Sequence, residues 1–358
     1  MKNNPFLALE RLYDEPEMQV IHQRMVCWME STLEWVDGVL SRHPPEWPEP
    51  AIRRRALFVL DEPLHVLSAP VEPCLNRFLN SRIESAVLEI EHEVVTSGLT
   101  IWKLYNHGFV VKTPELTLGF DLHRGPFESF RIESGLFDRI LDATQALFIS
   151  HEHGDHADEY AVRRVVESGR PVIVPPRLWE EDAIYPQLTK PERHWKLENK
   201  LALGDAAVTY RVFPGHQGAD LLNNVYLVEL PKGLHILHTG DQSYMEDFYV
   251  WIDRLHEQFR VDVLLPNCWS TRLDRLIQGV SPRLVITGHE NEMSHPVDHR
   301  EAFSKTYGHI VGERTPVLVM AWGERYHYEQ NQDLLSLASE SDVQGADLKE
   351  TQQFLSKF

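Results

Sequence analysis

Three histidines and an aspartate fall within six residues of this chain, directly after an apolar run that ends like a strand. They are His151, His153, Asp155 and His156. Imidazole nitrogen and carboxylate oxygen are ligands that divalent ions such as Zn²⁺ accept. A loop leaving a strand can turn His151 and His153 to one side and Asp155 and His156 to the other. That arrangement suits two cations rather than one, and the alternative is a polar turn that is merely rich in histidine.

Three later segments repeat the pattern of an apolar run, a small residue and then a residue that can bind a metal. The residues presented are His216, Asp241 and His289. Loops at strand ends are where a rigid sheet can hold ligands from distant parts of the chain. Each residue alone could equally be an ordinary loop residue, but their recurrence downstream of the histidine-rich segment favours one shared metal site.

The last of these segments offers more than one candidate. His289 directly follows the apolar run and Gly288, so it is the preferred ligand, and Glu290 is a neighbouring alternative. His295 is interpreted as a support for the ligands, a substrate contact or a surface histidine. Tyr244, shortly after Asp241, is either a hydrogen-bond donor in the substrate pocket or a plain loop tyrosine.

The hexapeptide 151–156 reads His-Glu-His-Gly-Asp-His and resembles the HxHxDH signature of the metallo-β-lactamase superfamily. The three downstream candidates follow in that family's order, and the resemblance covers roughly residues 99–322. It implies a mixed α/β fold, the αββα sandwich, in which two sheets face each other, helices lie outside and metals bind at one edge. We therefore predict this fold, preceded by a helical N-terminal extension.

The resemblance also implies how the ligands divide between two divalent cations. A hydroxide held between cations about 3.5–4 Å apart would be the nucleophile, because metal binding lowers the pKa of water toward neutrality. Asp155 and Asp241 are the predicted catalytic carboxylates, and Asp155 could orient the nucleophile. Zn²⁺ is the expected metal, with Mn²⁺ or Fe²⁺ as alternatives. The implied ligands are His151, His153 and His216 for the first cation, Asp155, His156 and His289 for the second, and Asp241 between them.

Other residues are expected to support this site. Asp121 resembles an early aspartate of the family, which implies hydrogen bonds that hold the metal loop. Asp158 is interpreted as a helix N-cap or as a partner of a ligand. Residues 101–109 resemble the start of the branch that contains ascorbate-6-phosphate lactonase, although the histidine is shifted by one position. His107 therefore either lines the pocket or closes the turn.

Composition excludes several classes of partner. The 358 residues carry a formal charge of −19, which argues against nucleic acid and against anionic membrane surfaces. We find no apolar run long enough to insert in a membrane and no signal peptide. The three cysteines are Cys27, Cys74 and Cys268; they form no CxxC pair, which fits a cytoplasmic protein. The expected partner is a small-molecule substrate.

The periodicity of apolar residues changes near residue 99. Helices are predicted over residues 18–40, 52–60 and 71–95, with Pro73 in a first turn and Gly98 as a C-terminal stop. Short strands and helices then alternate, among them a strand over residues 208–213 and a helix over residues 247–259. We divide the chain into a helical extension (1–98), a metallo-β-lactamase-fold domain (99–329) and a polar tail (330–358).

The apolar stripe of the extension contains Trp28, Trp35 and Trp47, which we expect to pack against the sandwich. The alternatives are a lid over the metal edge and a surface for a homo-oligomer. The predicted function is a binuclear metal-dependent hydrolase that cleaves a small ester, lactone or phosphodiester. The alternative is a non-hydrolytic metal-binding sensor or di-iron redox protein on the same scaffold.

Overall fold

A computed structural model describes residues 16–270, 272–330 and 334 of the chain. The predicted polar tail therefore lies outside the described residues, apart from Gln330 and Leu334. Among the described residues, no helix combines the length and the apolar content needed to span a bilayer.

Eight α-helices are described, three of them before the first strand. The later five connect strands or follow them, as expected where helices cover a sheet. The helices are α1 (Pro16–Arg42), α2 (Ala51–Leu64), α3 (Pro73–His92), α4 (Ser134–Ala143), α5 (Glu159–Glu167), α6 (Met245–Val250), α7 (Leu273–Val280) and α8 (Phe303–His309).

Thirteen strands form two sheets. The first sheet has the order β13-β1-β2-β3-β4-β5, and the second has the order β12-β11-β10-β9-β8-β7-β6. The strands are β1 (Leu99–Lys103), β2 (Phe109–Lys112), β3 (Thr117–Phe120), β4 (Ala146–Phe148), β5 (Val172–Ile173), β6 (Asn199–Leu203), β7 (Ala206–Gln217), β8 (Leu221–Glu229), β9 (His235–His238), β10 (Val263–Leu265), β11 (Leu284–Thr287), β12 (Val317–Val319) and β13 (Arg325–Tyr328).

Strand direction brings several loops to one edge. The pairs β3–β4 and β4–β5 are parallel in the first sheet. The pairs β9–β10, β10–β11 and β11–β12 are parallel in the second sheet. Strand β7 also runs in the direction of β9, because β8 is antiparallel to both. The carboxyl ends of β7, β9, β10 and β11 therefore meet at the same edge of the second sheet.

Three apolar cores define the layers. The core between the sheets joins residues of both, as where Phe148 packs edge-on against Tyr226 with ring centroids 5.2 Å apart. The outer face of the first sheet, with Trp102 and Leu147, packs against α1–α5. The outer face of the second sheet packs against α6 and α7. The predicted αββα sandwich with a helical N-terminal extension is confirmed.

The N-terminal helices share a continuous apolar core with the first sheet. Trp28 and Trp35 pack half-buried against that core, and Trp47 packs against the core between the sheets. A buried ion pair adds to the apolar contact: Arg53 of α2 donates to both carboxylate oxygens of Glu324, at 2.7 and 2.5 Å. The helices are thus joined to the sandwich by apolar packing and by paired charge.

One predicted helix boundary is wrong. Helix α3 ends at His92 rather than near residue 95, and Gly98 is not its C-terminal stop. Lys112 of the first sheet donates to the carbonyls of Ile90 and Glu93 at 2.7 and 2.8 Å, which satisfies the end of the helix. Gly98 has a φ of +61°, and a Cβ there would lie 2.2 Å from the Tyr328 carbonyl oxygen. A glycine at this position therefore allows the chain to turn into β1 beside β13.

Two other segments differ from the predicted pattern. The expected helix 247–259 is split into α6 and a 3₁₀ turn (Ile252–Glu257) by Trp251, whose φ of −145° is not helical. Strand β7, expected to end at Phe213, continues to Gln217. Only Ala206–Tyr210 of β7 pair with β6, so Pro214 lies on a free edge where its missing N–H removes no ladder bond.

Candidate metal centre

Four segments carry the predicted ligands to one edge of the sandwich. The first ligand loop (residues 150–156) leaves β4, and the second ligand loop (residues 288–302) leaves β11. Asp241 follows β9. His216 is the second-last residue of β7 and pairs with Leu222 of β8. The alternation of short buried strands and loops thus gathers side chains that are far apart in sequence.

Two groups of possible ligand atoms form at this edge, each with its atoms within 4.8 Å of one another. The first group is His151, His156 and Asp241, and the second is Asp155, His156 and His289. His156 Nε2 lies 3.3 Å from Asp241 Oδ1 and 3.4 Å from Asp155 Oδ2. His289 Nε2 lies 3.3 Å from Asp155 Oδ2 and 3.5 Å from Asp241 Oδ2. The two groups therefore form one continuous cluster of five side chains.

The polar atoms of this cluster fit divalent cations. The Nε2 atoms of His151, His156 and His289 and the Oδ1 atom of Asp241 are buried without a hydrogen-bond partner. An unpaired buried polar group is costly, so such atoms need a further partner. Imidazole nitrogens beside carboxylate oxygens are the mixed ligand set that Zn²⁺, Mn²⁺ and Fe²⁺ accept.

His153 and His216 lie outside these two close groups within the part of the chain that the structure describes. The ring of His153 lies 4.8 Å from the ring of His151. The Nδ1 atom of His216 is 3.1 Å from Asp247 Oδ2, which leaves Nε2 for a cation, as a carboxylate behind a metal-binding histidine does. Both residues remain predicted ligands that the geometry permits.

Asp247 was not identified from the sequence. Gln242 joins it to the backbone of His216: Gln242 Nε2 donates to Asp247 Oδ2 at 2.9 Å, and Gln242 Oε1 accepts from the His216 N–H at 2.9 Å. In sequence, Asp247 is an acidic residue in the first turn of a helix, a common position that carries no sign of this role.

Asp121 holds the first ligand loop, as its family resemblance implied. Its Oδ1 accepts from the Ser150 N–H at 2.7 Å, and its Oδ2 accepts from Ser150 Oγ at 2.5 Å. The Nδ1 atom of His156 is 2.7 Å from the same Oδ2. This bond orients Nε2 of His156 toward Asp155 and Asp241.

Asp158 is the N-cap of α5. Its Oδ1 accepts from the backbone N–H groups of Tyr160 at 2.9 Å and Ala161 at 3.2 Å, so the N-cap interpretation is confirmed. Its Oδ2 accepts from Arg124 at 3.1 Å. Asp158 thus fixes the start of α5 just after the first ligand loop.

Burial and charge act in opposite directions on the histidines of the centre. Burial disfavours the charged form of His156, but Asp241, Asp155 and Asp121 outweigh it and raise its pKa well above the ordinary value. The same competition raises the pKa of His289 to about 10. For His151, burial prevails, aided by His156, and lowers the pKa to about 3.

The carboxylates respond to the same charges. Burial would raise the pKa of Asp241, but His156 and His289 lower it well below its usual range. The centre without metal therefore holds ionised carboxylates balanced by protons on histidine. A cation would replace those protons, because a metal ligand must be deprotonated.

His107 lies beneath the centre and not on an open pocket wall. It is fully buried, both ring nitrogens lack hydrogen-bond partners, and its ring is 5.8 Å from that of His156. His238 is a second buried histidine, which the sequence did not reveal; its ring lies 4.5 Å from that of His107 and is tilted by 37°. A Cβ on Gly288 would lie 2.2 Å from His107 Nδ1, so this glycine permits the close approach.

The three other candidates divide between the site and the core. The ring of Tyr244 lies 5.8 Å from that of His216, and the ring of His295 lies 5.7 Å from that of His289. Glu290 instead forms a fully buried ion pair with Lys103 and accepts from Thr287 Oγ1 at 2.6 Å. Those partners occupy its carboxylate away from the metal ligands.

Two amides that the sequence did not reveal bind the central carboxylates. Asn106 Nδ2 donates to Asp155 Oδ2 at 3.0 Å, and Gln217 Nε2 donates to Asp241 Oδ2 at 3.2 Å. Asn106 lies in the turn between β1 and β2. In this turn the sequence indicated only His107, as a residue that lines the pocket or closes the turn. Amides of this kind fix which oxygen of a carboxylate faces a cation.

Several solved structures are similar to this chain. A structure of an isothiocyanate hydrolase from Delia radicum gut bacteria is 14% identical, covers 64% of this chain and 99% of that chain, and superposes with a TM-score of 0.50. Igni18, a metallo hydrolase from Ignicoccus hospitalis, is 16% identical, with coverages of 65% and 99% and a TM-score of 0.48. CmlA, a diiron β-hydroxylase from Streptomyces venezuelae, is 14% identical, with coverages of 66% and 55% and a TM-score of 0.45.

A search of curated proteins gives no match. Residues 123–302, which are 180 of the 358 residues, match the beta-lactamase superfamily domain. This range contains every predicted metal ligand and begins just after Asp121. The chain therefore belongs to the beta-lactamase superfamily and has the metallo-β-lactamase fold.

Proposed function

We propose that this protein is a hydrolase that uses two divalent cations, with Zn²⁺ expected first, to cleave a small ester, lactone or phosphodiester. The observation that carries the proposal is the cluster of five side chains described above, in which atoms of three histidines and of Asp241 are buried without hydrogen-bond partners. We assign the ligands as the family resemblance implies: His151, His153 and His216 for one cation, Asp155, His156 and His289 for the other, and Asp241 for both.

When bound, two such cations would supply a nucleophile at neutral pH and would polarise a substrate oxygen. The chain's own residues supply the geometry. Asn106 holds one oxygen of Asp155 and Gln217 holds one of Asp241, so each carboxylate presents a fixed orientation. Asp247 orients His216 in the same way. This preorganisation removes the need for the ligands to rearrange during a reaction.

Residues beside the ligands support a small polar substrate. Tyr244 and His295 lie next to His216 and His289 and can donate hydrogen bonds to a substrate oxygen. The lactonase-like segment 101–109 contributes Asn106 to the centre and buried His107 beneath it. We place the protein in the cytoplasm, because Cys27, Cys74 and Cys268 are free thiols.

The test combines metal analysis with assays on generic ester, lactone and phosphodiester substrates. The wild-type protein should bind two cations per chain and hydrolyse at least one substrate class. Asp241→Ala should lose at least one cation and reduce turnover at least about a hundredfold, as loss of a group at the reaction centre does. Circular dichroism should show that the variant remains folded.

Asp253→Ala is the matched control, because Asp253 forms a partly exposed ion pair with Arg275 of α7 and neither residue is a proposed ligand. It should keep both cations and full turnover. Fewer than one cation per chain in metal-replete wild-type protein would contradict the proposal, as would full activity in Asp241→Ala. Two bound cations without hydrolysis of any substrate class would favour the non-hydrolytic alternative.

A further inference from the structure

The second ligand loop has an unfavourable backbone that something must hold in place. His289 has a φ of +75° and Asn291 a φ of +59°, both in the left-handed region that residues other than glycine seldom adopt. Such conformations cost about 1–3 kcal/mol each and persist only where the surroundings fix them. Apart from a 3₁₀ turn (Val297–His299), the loop contains no regular element that could do so.

A single carboxylate on the N-terminal helices closes both ends of this loop. Asp61 of α2 is buried, and its Oδ1 accepts from Asn291 Nδ2 at 3.3 Å and from the Phe303 N–H at 2.8 Å. Its Oδ2 accepts from the Ser304 N–H at 2.9 Å. Asn291 is two residues after His289, and Phe303 begins α8, so the carboxylate spans the loop from start to finish.

A second link joins the last part of the loop to the end of α2. His65 Nε2 lies 2.9 Å from the carbonyl oxygen of Arg300. The buried guanidinium of Arg300 donates in return to the carbonyl of Leu64 at 2.8 Å and, within the loop, to that of His295 at 3.1 Å. The segment that follows His289 is therefore attached to α2 at Asn291 and again from Arg300 onward.

We propose that Asp61 is a positioning residue for the metal centre, which fixes the backbone of the second ligand loop so that His289 faces Asp155 and Asp241. The inference rests on the proposed function in one respect, the assignment of His289 as a ligand. It makes the N-terminal helices part of the machinery that forms the second cation site. Contacts within the sandwich also reach this turn: the His289 N–H donates to the Asn106 carbonyl at 3.1 Å, and the Asn291 N–H donates to the Glu301 carbonyl at 2.9 Å. Asp61 adds the bonds that join the Asn291 side chain to the start of α8.

The test is Asp61→Asn in the full chain, stripped of metal and titrated with Zn²⁺ and with Mn²⁺. A carboxamide has one acceptor oxygen, so one of the three donors loses its partner. The affinity of the second cation should fall about tenfold or more, as is typical when a group behind a ligand is removed, while the first cation binds as in wild type. Hydrogen exchange of residues 289–304 should become faster.

A second variant and a matched control separate positioning from general stability. Asn291→Gly removes only the side-chain link to Asp61, keeps the left-handed backbone accessible, and should weaken the same cation. Glu324→Gln disrupts a different buried contact of α2, the pair with Arg53, and Glu324 lies outside the loop. It should lower the melting temperature yet leave both cation affinities and loop exchange unchanged.

Wild-type affinity for both cations in Asp61→Asn would overturn the inference. His289→Ala reports on the proposed function separately, since it should remove the second cation in any background. If His289→Ala kept two cations, the ligand assignment would be wrong. Hydrogen exchange of residues 289–304 in Asp61→Asn would then test the anchoring role by itself. Unchanged protection in Asp61→Asn would overturn the anchoring role, and lost protection would support it.

Discussion

The two ligand loops serve one centre but are held by different parts of the molecule. The first is fixed by Asp121, which lies 29 residues before Ser150 and 35 before His156. The second is fixed by Asp61, which lies 230 residues before Asn291 and 242 before Phe303. The first loop is thus held from within the first sheet, whereas the second is held by helices outside the sandwich in addition to its contact with Asn106.

The backbone conformations of the two loops also differ. No residue of the first ligand loop has a positive φ, and the unusual conformation there is carried by its support, Asp121, at φ +43°. In the second loop the unusual conformations fall on His289 and Asn291 themselves. The loop that is held by a residue near it in sequence has ordinary backbone angles at its ligands. The loop that is held by a residue distant in sequence has a strained backbone at His289.

Asp121→Ala should have the largest effect, because it breaks the first loop at its base. The change leaves the Ser150 N–H, the Ser150 hydroxyl and the His156 ring without their buried acceptor. We expect a loss of about 3 kcal/mol or more in the free energy of unfolding, together with loss of both cations. Chemical denaturation and metal analysis measure the two effects.

The control for this variant is Asp158→Ala, which removes the N-cap of α5 and its bond with Arg124 just after the same loop. It should cost about 1 kcal/mol and leave metal binding intact. If Asp121→Ala behaved like Asp158→Ala, the first loop would not depend on Asp121, and the contrast between the loops would fail.

Gly288→Ala should have an intermediate effect at the start of the second loop. A methyl group there would lie 2.2 Å from His107 Nδ1 and 3.0 Å from Phe109 Cζ, in a region without free space. Overpacking of this kind costs about 1–3 kcal/mol, and the displaced loop should bind the second cation more weakly. Thermal unfolding and metal titration are the measurements.

The double variant Gly288→Ala/His107→Ala tests the cause. With the imidazole removed, the added methyl group has room, so its cost should fall well below the cost in the wild-type background. Additive effects in this cycle would show that the strain arises elsewhere.

The smallest effect concerns how the free energy of unfolding depends on pH through two buried carboxyl groups that contact α2 or belong to it, Glu324 and Asp61. Burial raises the pKa of Asp61 above its ordinary value despite its hydrogen bonds. For Glu324, burial acts in the same direction, but Arg53 outweighs it and lowers the pKa. Glu324 therefore contributes stability that is present above its unfolded-state pKa and is lost as the pH falls through its folded-state pKa. Asp61 contributes the opposite trend, since its folded form holds the proton more tightly.

The two variants should accordingly change the pH profile in opposite directions. Between neutral pH and about pH 4, stability should rise more steeply with pH in Asp61→Asn than in wild type. Below about pH 4.5, the ordinary range of a glutamate, it should rise less steeply in Glu324→Gln. Denaturation curves at several pH values give these slopes, and equal slopes in both variants would remove the distinction between the contacts.

The contrast also explains what the sequence could and could not reveal about the site. The first ligand loop is compressed into six residues, so its spacing alone indicates two half-sites. His289 was found because Gly288 and an apolar run precede it. Asp61 and Asp247 are single acidic residues in helices, with no local pattern to distinguish them from solvent-facing acids. Their roles arise from packing between segments distant in sequence.

The fold shows the same division. Alternating apolar patterns identified the strands, and the resemblance supplied their arrangement as a sandwich. The end of α3 was misplaced because Lys112, a residue of another element, satisfies its last carbonyls. The length of β7 was underestimated because a proline ordinarily disfavours a strand, and only the free edge beside Pro214 makes it acceptable.

The distance in sequence between Asp61 and its partners also orders the assembly of the protein. Helix α2 leaves the ribosome 242 residues before Phe303, the residue whose backbone N–H its carboxylate must bind. At 5–20 residues per second, translation of that interval takes roughly 10–50 s, during which the donors that Asp61 binds in the folded protein do not yet exist. The first ligand loop and Asp121 are made close together, so a nascent chain can orient the first loop long before the second.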